Sequence, residues 1–219
     1  MIGSHDTFTY CKSTKWIFNH AKKYWKTQCK SIEEQYKWGV RMFDIRVMSE
    51  KNFWRTCHGE CKLTKCFLTL RDICDFMKKN CPDAIYRIVL EKGADSRFKQ
   101  EALHNNFPDF DKKYGTATLC DIYPNLWRVD IKATGVWTGT VCNNNQKLFE
   151  RGYKFALVDT WTPPSYEIHG EVKCNNILKI DLRKKARQLN KEIFNLNNID
   201  ELKESKDFLY FIDYCTNEY

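Results

Sequence analysis

The feature that most constrains this chain is an alternation of short β-rich apolar runs with longer stretches of helical periodicity. Strands are expected at Ile2–Phe8, Val40–Met48, Ile85–Leu90, Leu126–Ala133, Lys154–Trp161 and Phe208–Cys215. Lys15–Gly39 reads mostly helical, with Ile17, Ala21, Trp25 and Ile32 near helical spacing and Gly39 as the stop. Phe53–Thr56 reads as a short extended piece leading into His58-Gly59. Leu68–Cys81 is an amphipathic helix with Leu70, Ile73, Cys74 and Met77 inward, closed by Pro82. A looser helical stretch follows from Arg97, and Ile177–Phe194 carries Leu178, Leu182, Ala186, Leu189 and Ile193 on one face. Such alternation argues for an α/β architecture, a parallel sheet or barrel with helices outside. The six expected strands are two short of a closed barrel of about eight. With no internal repeat and no linker, residues 1–219 are expected to form one domain.

Composition narrows the function classes. Charged residues make up 29% and hydrophobic residues 42% of the chain, which fits a globular domain and not a disordered one. No apolar run approaches the roughly 18 residues that a membrane-spanning helix needs. The net charge of +8 suits an anionic membrane, a phosphorylated substrate or nucleic acid. Nucleic acid has only that charge behind it, and no nucleic-acid partner is expected. Part of the excess is local, because residues 12–30 carry six Lys and no Asp or Glu; a solvated helix face explains that run equally well. The 11 cysteines are odd in number, and the chain is long enough to fold without bridges. No signal peptide opens it, so the cysteines are expected to be reduced side chains of an intracellular protein. Cys57, Cys61 and Cys66 around His58 lack the paired spacing of a structural zinc site.

The second expected strand is the most informative for chemistry. Strand periodicity places Val40, Met42, Asp44 and Arg46 on one face and Phe43, Ile45 and Val47 on the other. The second set suits packing against helices. The first puts a carboxylate beside a guanidinium on the interior face, near the C-terminal end where barrel enzymes collect their chemistry. An interior salt bridge is the plainer reading of that pair. His5 and Asp6 belong to the first strand, and His58 follows the extended piece after the second. Two imidazoles and a cation make an apparatus for phosphodiester cleavage, one removing a proton, one donating a proton, and the cation holding the charged oxygens.

At this point three blocks of residues resemble a family. Ile2-Gly3-Ser4-His5-Asp6-Thr7 is similar to the opening "I-P-G-S/T-H-D-S" strand of the phosphatidylinositol-specific phospholipase C X domain. Trp25-x-Thr27-Gln28-x-x-Ser31-Ile32-x-x-Gln35-x-x-x-Gly39-Val40-Arg41-x-Phe43-Asp44-Ile45-Arg46-Val47 resembles its second block. His58-Gly59, a helix and Ile85–Leu90 resemble the third. The match runs in order over roughly the first 92 residues, which is far more specific than one motif. Within that superfamily it resembles most the bacterial enzymes and the animal proteins that consist of an X domain alone.

The resemblance implies a TIM-type (β/α) barrel, incomplete or open at its C-terminal end. It implies His5 as general base on the inositol 2-hydroxyl and His58 as general acid for the diacylglycerol oxygen. Asp6 would support the acid, and Arg46, oriented by Asp44, would bind the phosphate. Lys92 would contact inositol hydroxyls or phosphate, and Lys132 ends a strand where the bacterial family carries Arg. Asp159 and Trp161 resemble an "Asp-x-Tyr" pair, with Trp in place of the Tyr that stacks on the inositol ring. Asp213 is the candidate for the carboxylate that orients the base. No cofactor is implied. Glu91 falls where calcium-using relatives carry a ligand, but Arg46 beside Asp44 is expected to do a metal's electrostatic work. A phosphoinositide or other phosphodiester substrate and a cytoplasmic location with peripheral contact to anionic membranes follow, helped by Trp161 and Tyr166 around Pro163 and Pro164. Two competing readings are a phosphoinositide-binding module without turnover and a metal-dependent glycerophosphodiester phosphodiesterase. The latter expects Glu-x-Asp where this chain has Asp44-x-Arg46.

Overall fold

The computed structural model describes residues 2–22, 25–91, 96–98, 100–101, 126–131, 154–158, 186–187, 190 and 208–212. Its strands are β1 (Ile2–Ser4), β2 (Val40–Glu50), β3 (Phe53–His58), β4 (Cys61–Phe67), β5 (Ile85–Leu90), β6 (Leu126–Ile131), β7 (Lys154–Val158) and β8 (Phe208–Ile212). Among the described residues, the α-helices bounded at both ends are α1 (Trp16–His20), α2 (Ile32–Trp38) and α3 (Leu70–Asn80). Parallel ladders join β7 to β8, β8 to β1, β1 to β2, β2 to β5 and β5 to β6. These are the strands the alternation foretold. Among the described residues no ladder joins β6 to β7, so the parallel set is open.

Strand β2 organises the sheet. Phe43, Ile45 and Val47 lie on one face and are fully buried in a cluster with Ile32 of α2 and Leu70, Ile73, Cys74 and Met77 of α3. Asp44 and Arg46 alternate with them and face the other way, equally buried. Val40, expected on the inner face, joins the apolar cluster instead. The ladder with β1 slips between Ile2 and Gly3, which pair with Val40 and Met42, so the alternation restarts at Met42.

Three expectations are corrected by hydrogen bonding that sequence spacing does not show. The run 15–39 is not one helix but α1 and α2. Between them Thr27 N and Gln28 N donate to Thr9 Oγ1 at 3.2 and 2.8 Å, so these amides are spent on a side chain. α2 then starts afresh on a capping box, with Glu34 N donating to Ser31 Oγ and Ser31 N to Glu34 Oε2. It stops at Gly39, whose φ of 115° puts it in the left-handed region. Ile17, placed on the inner helical stripe by periodicity, is 57% exposed.

The first strand, expected to reach Phe8, ends at Ser4. Asp6 turns left-handed (φ 48°, ψ 52°) and Thr7–Tyr10 form a 3-10 turn. The piece expected at Phe53–Thr56 is the longer strand β3, antiparallel to the end of β2 and followed by β4. The turn into β4 is only Gly59-Glu60, since His58 pairs with Cys61, and Gly59 supplies the positive φ of 54°. Cys61, Leu63 and Phe67 are buried between less buried polar neighbours, so β4 carries a half-buried strand pattern. None of the described cysteines forms a disulfide. Of the late helix, only residues 186–187 and 190 are described, and they are helical.

α3 is as expected apart from its ends: Thr69 caps it in a box with Asp72, and Leu70, Ile73, Cys74 and Met77 are its buried stripe. Ile17 of α1 and Ile73 of α3 therefore separate. Ile73→Ala should lower stability by about 2–5 kcal/mol through lost burial and an unfilled cavity. Ile17→Ala should stay within about 0.5 kcal/mol. Urea denaturation midpoints at constant m-value check the contrast.

Candidate active site

β2 projects Asp44 and Arg46 into the interior at 0% and 3% exposure. The end of β1 brings His5 and Asp6 beside them, at 2% and 1% exposure. A guanidinium that deep requires compensation, and Arg46 has it on three sides. Its Nε and Nη2 donate to Asp44 Oδ2, both at 3.1 Å. Its Nε also meets Asp6 Oδ1 in a close ion pair, and its Nη1 lies 3.7 Å from Glu91 Oε1. Glu91 follows β5, and its amide donates to the Val47 carbonyl at 2.7 Å, which fixes it to β2. Burial acts to lower the Arg46 pKa, but Asp6, Asp44 and Glu91 more than reverse this, so the guanidinium stays charged.

Asp6 is the centre of the site. Its Oδ2 lies 3.5 Å from His5 Nε2 and 3.2 Å from His58 Nε2, so one carboxylate touches both imidazoles. Asp6 N donates to Asp44 Oδ2 at 3.3 Å, and the Asp6 carbonyl accepts from Thr9 N and Thr9 Oγ1 at 3.0 and 2.9 Å. A left-handed backbone at a non-glycine residue costs about 1–3 kcal/mol. These contacts hold it. Burial would raise the Asp6 pKa, but Arg46, His5 and His58 outweigh it and keep the carboxyl below its ordinary value.

The histidines differ in what their nitrogens face. His5 Nε2 is 2.8 Å from Arg46 Nη2. A guanidinium only donates, so this imidazole nitrogen accepts and its proton sits on Nδ1. His58, delivered by the end of β3, places Nδ1 2.5 Å from the Trp25 carbonyl. A carbonyl only accepts, so Nδ1 carries a proton and Nε2 is the nitrogen turned toward Asp6. His58 is the more open of the two, with 12% of its side chain exposed.

His5, Asp6 and Asp44 offer ligand atoms within 4.8 Å of one another, close enough to hold a cation. Arg46 lies against both carboxylates, however, so an ion there would face a fixed positive charge. The structure thus brings together His5, Asp6, Asp44, Arg46 and His58. Lys92, Lys132, Asp159, Trp161 and Asp213 lie outside the described residues, as do Tyr166, Pro163 and Pro164. Sequence reasoning gave no role to Trp25, Thr27 and Gln28, although all three stand in the second motif block. The signal was their sequence position only, because a main-chain acceptor such as the Trp25 carbonyl has no residue-type signature.

The Asp6 shift has a stability consequence. A carboxyl whose pKa is lowered by folding contributes stability that is complete above its unfolded value of about 3.8 and is lost as pH falls through the lower folded value. Asp6→Asn cannot make that change. Urea unfolding should show wild type more stable than Asp6→Asn at about pH 5, with the margin shrinking as pH falls below 3.8.

No protein-family model matches the chain, and no curated protein does. Solved structures do match. The phosphatidylinositol-specific phospholipase C of S. aureus, studied for modulation of its membrane binding, aligns with 100% of this chain and 87% of its own at 14% identity, TM-score 0.57. A point mutant of the Staphylococcus aureus protein covers 98% of this chain and 84% of its own at 13% identity, with the same TM-score of 0.57. The phosphatidylinositol-specific phospholipase C of Listeria monocytogenes aligns with 98% and 87% at 18% identity, TM-score 0.57. The likeness extends from the motif-bearing first part over nearly the whole chain, and the fold is that of the bacterial phosphatidylinositol-specific phospholipases C.

Proposed function

We propose that this chain is a phosphodiesterase of the phosphatidylinositol-specific phospholipase C type, acting by His/His acid–base catalysis with arginine stabilisation of the phosphate. The observation that carries the reading is Asp6 contacting both imidazoles while Arg46 and Asp44 close the same site. His5 Nε2 takes the proton of the inositol 2-hydroxyl as Arg46 Nη2 turns from that nitrogen to a phosphate oxygen. That oxygen attacks phosphorus, and the bond to the diacylglycerol oxygen breaks as His58 Nε2 protonates it. The product is a cyclic inositol phosphate, which water opens with the two histidines in reversed roles. Arg46 offers donors to the equatorial oxygens as their charge grows. Its positive charge also faces Asp6, Asp44 and Glu91. Lys92, Lys132, Asp159 and Trp161 are assigned to inositol and phosphate contacts, and Asp213 to orienting His5.

No divalent metal is needed in this scheme. His5→Ala and His58→Ala should each reduce release of water-soluble inositol phosphate from phosphatidylinositol vesicles by about 10²–10⁴-fold. Exhaustive chelation should leave wild type unchanged, and Arg46→Ala should be crippled with or without calcium. Wild-type turnover in either histidine variant would refute the acid–base roles. Vesicle binding by wild type without any release would make the chain a phosphoinositide-binding module instead.

Contact with anionic membranes, from the cytoplasmic side, belongs to the same reading. α1 holds Trp16 at 73% and Ile17 at 57% exposure, with exposed Lys12, Lys15 and Lys22 around it. Basic groups draw such a surface to anionic lipid, and an indole sits well at the interface. Vesicle sedimentation should weaken as salt rises and weaken further in Trp16→Ala. Binding indifferent to salt and lipid charge would overturn this part.

A further inference from the structure

One short stretch between α1 and α2 contacts both histidines. The Trp25 carbonyl accepts from His58 Nδ1 at 2.5 Å. Two and three residues on, Thr27 Oγ1 and Gln28 Nε2 donate to the His5 carbonyl at 3.3 and 2.9 Å. Trp25, Thr27 and Gln28 are 6%, 0% and 1% exposed. The stretch is itself anchored at both ends. The Trp25 indole donates to the Phe18 carbonyl of α1 at 2.6 Å, and the Thr27 and Gln28 amides are held by Thr9 Oγ1. Thr9 in turn bonds the Asp6 carbonyl.

The His5 carbonyl belongs to the peptide plane that leads into left-handed Asp6. Rotation of that plane would move the His5 ring and the Asp6 carboxylate together. A buried primary amide is costly unless its donors are used, so Gln28 is not explained by filling space. We infer that Trp25–Gln28 is a positioning element serving both imidazoles at once, with Thr27 and Gln28 setting His5 and Trp25 setting His58. The inference rests on the acid–base reading of the two histidines, which no group of this stretch joins chemically.

The test uses imidazole ¹⁵N spectra of the full chain, recorded over pH, beside kcat and KM on phosphatidylinositol vesicles. Gln28→Met keeps length and removes the amide; Thr27→Val removes the hydroxyl and Thr27→Ser keeps it; Trp25→Phe removes the indole donor. Gln28→Met and Thr27→Val should move the His5 resonances and lower kcat about tenfold at unchanged KM, the loss of roughly one hydrogen bond. Thr27→Ser should match wild type. Trp25→Phe should move the His58 resonances and lower kcat at unchanged KM; if it fails to fold, the other variants decide. Histidine spectra and pH profiles unmoved in Gln28→Met and Thr27→Val, with only the melting temperature lowered, would reduce the stretch to structure and overturn the inference. Spectra that move as expected in a wild type without phosphodiesterase activity would leave the positioning intact and sink the proposed function instead.

Discussion

Everything at the mouth of this sheet depends on a guanidinium that is almost completely removed from water. Arg46 sits at 3% exposure, and its charge is balanced by Asp44 on the same strand, Asp6 after β1 and Glu91 after β5. Each partner comes from a different strand. Removing one member of such a buried set costs about 3–5 kcal/mol, because the remaining charge is stranded. The set therefore ties β1, β2 and β5 at their C-terminal ends as firmly as the ladders tie their middles. It also fixes a rigid positive charge with directed donors, which is what a phosphate oxygen requires.

Two imidazoles against one carboxylate are made unlike by their other neighbours. The arginine faces His5 and can only donate, which leaves that ring as an acceptor. The Trp25 main chain faces His58 and can only accept, which leaves that ring as a donor at Nδ1. Asp6 sits against both. The difference between the two rings needs no difference in residue type, only a difference in the polarity of the contacting atom.

The β3–β4 hairpin and the irregular stretch after α1 are where the fold adapts to the site. The hairpin extends β2 beyond its parallel partners and carries His58 at the end of β3, just before its turn. The stretch spends its side chains and amides on Thr9 and the His5 carbonyl, at the expense of a continuous helix. Both departures from regular α/β alternation lead to a histidine.

The sequence by itself determined what periodicity and short-range chemistry encode. The parallel strands, the buried stripe of α3 and the opposed faces of Asp44–Arg46 and Phe43–Val47 follow from side-chain alternation within a few residues. His5, Asp6, Asp44, Arg46 and His58 were legible as a set through linked motifs. Tertiary structure decided the rest. That residues 27 and 28 stand outside a helix depends on Thr9 capturing their amides, a contact across 18 and 19 positions that no local pattern announces. That Asp6 serves both histidines depends on a left-handed turn stabilised from β2 and the Thr9 hydroxyl. Glu91 became part of the site through a hydrogen bond from its own amide to the Val47 carbonyl. The same residue types in the same order would permit other pairings, and only packing at the end of the sheet selects among them.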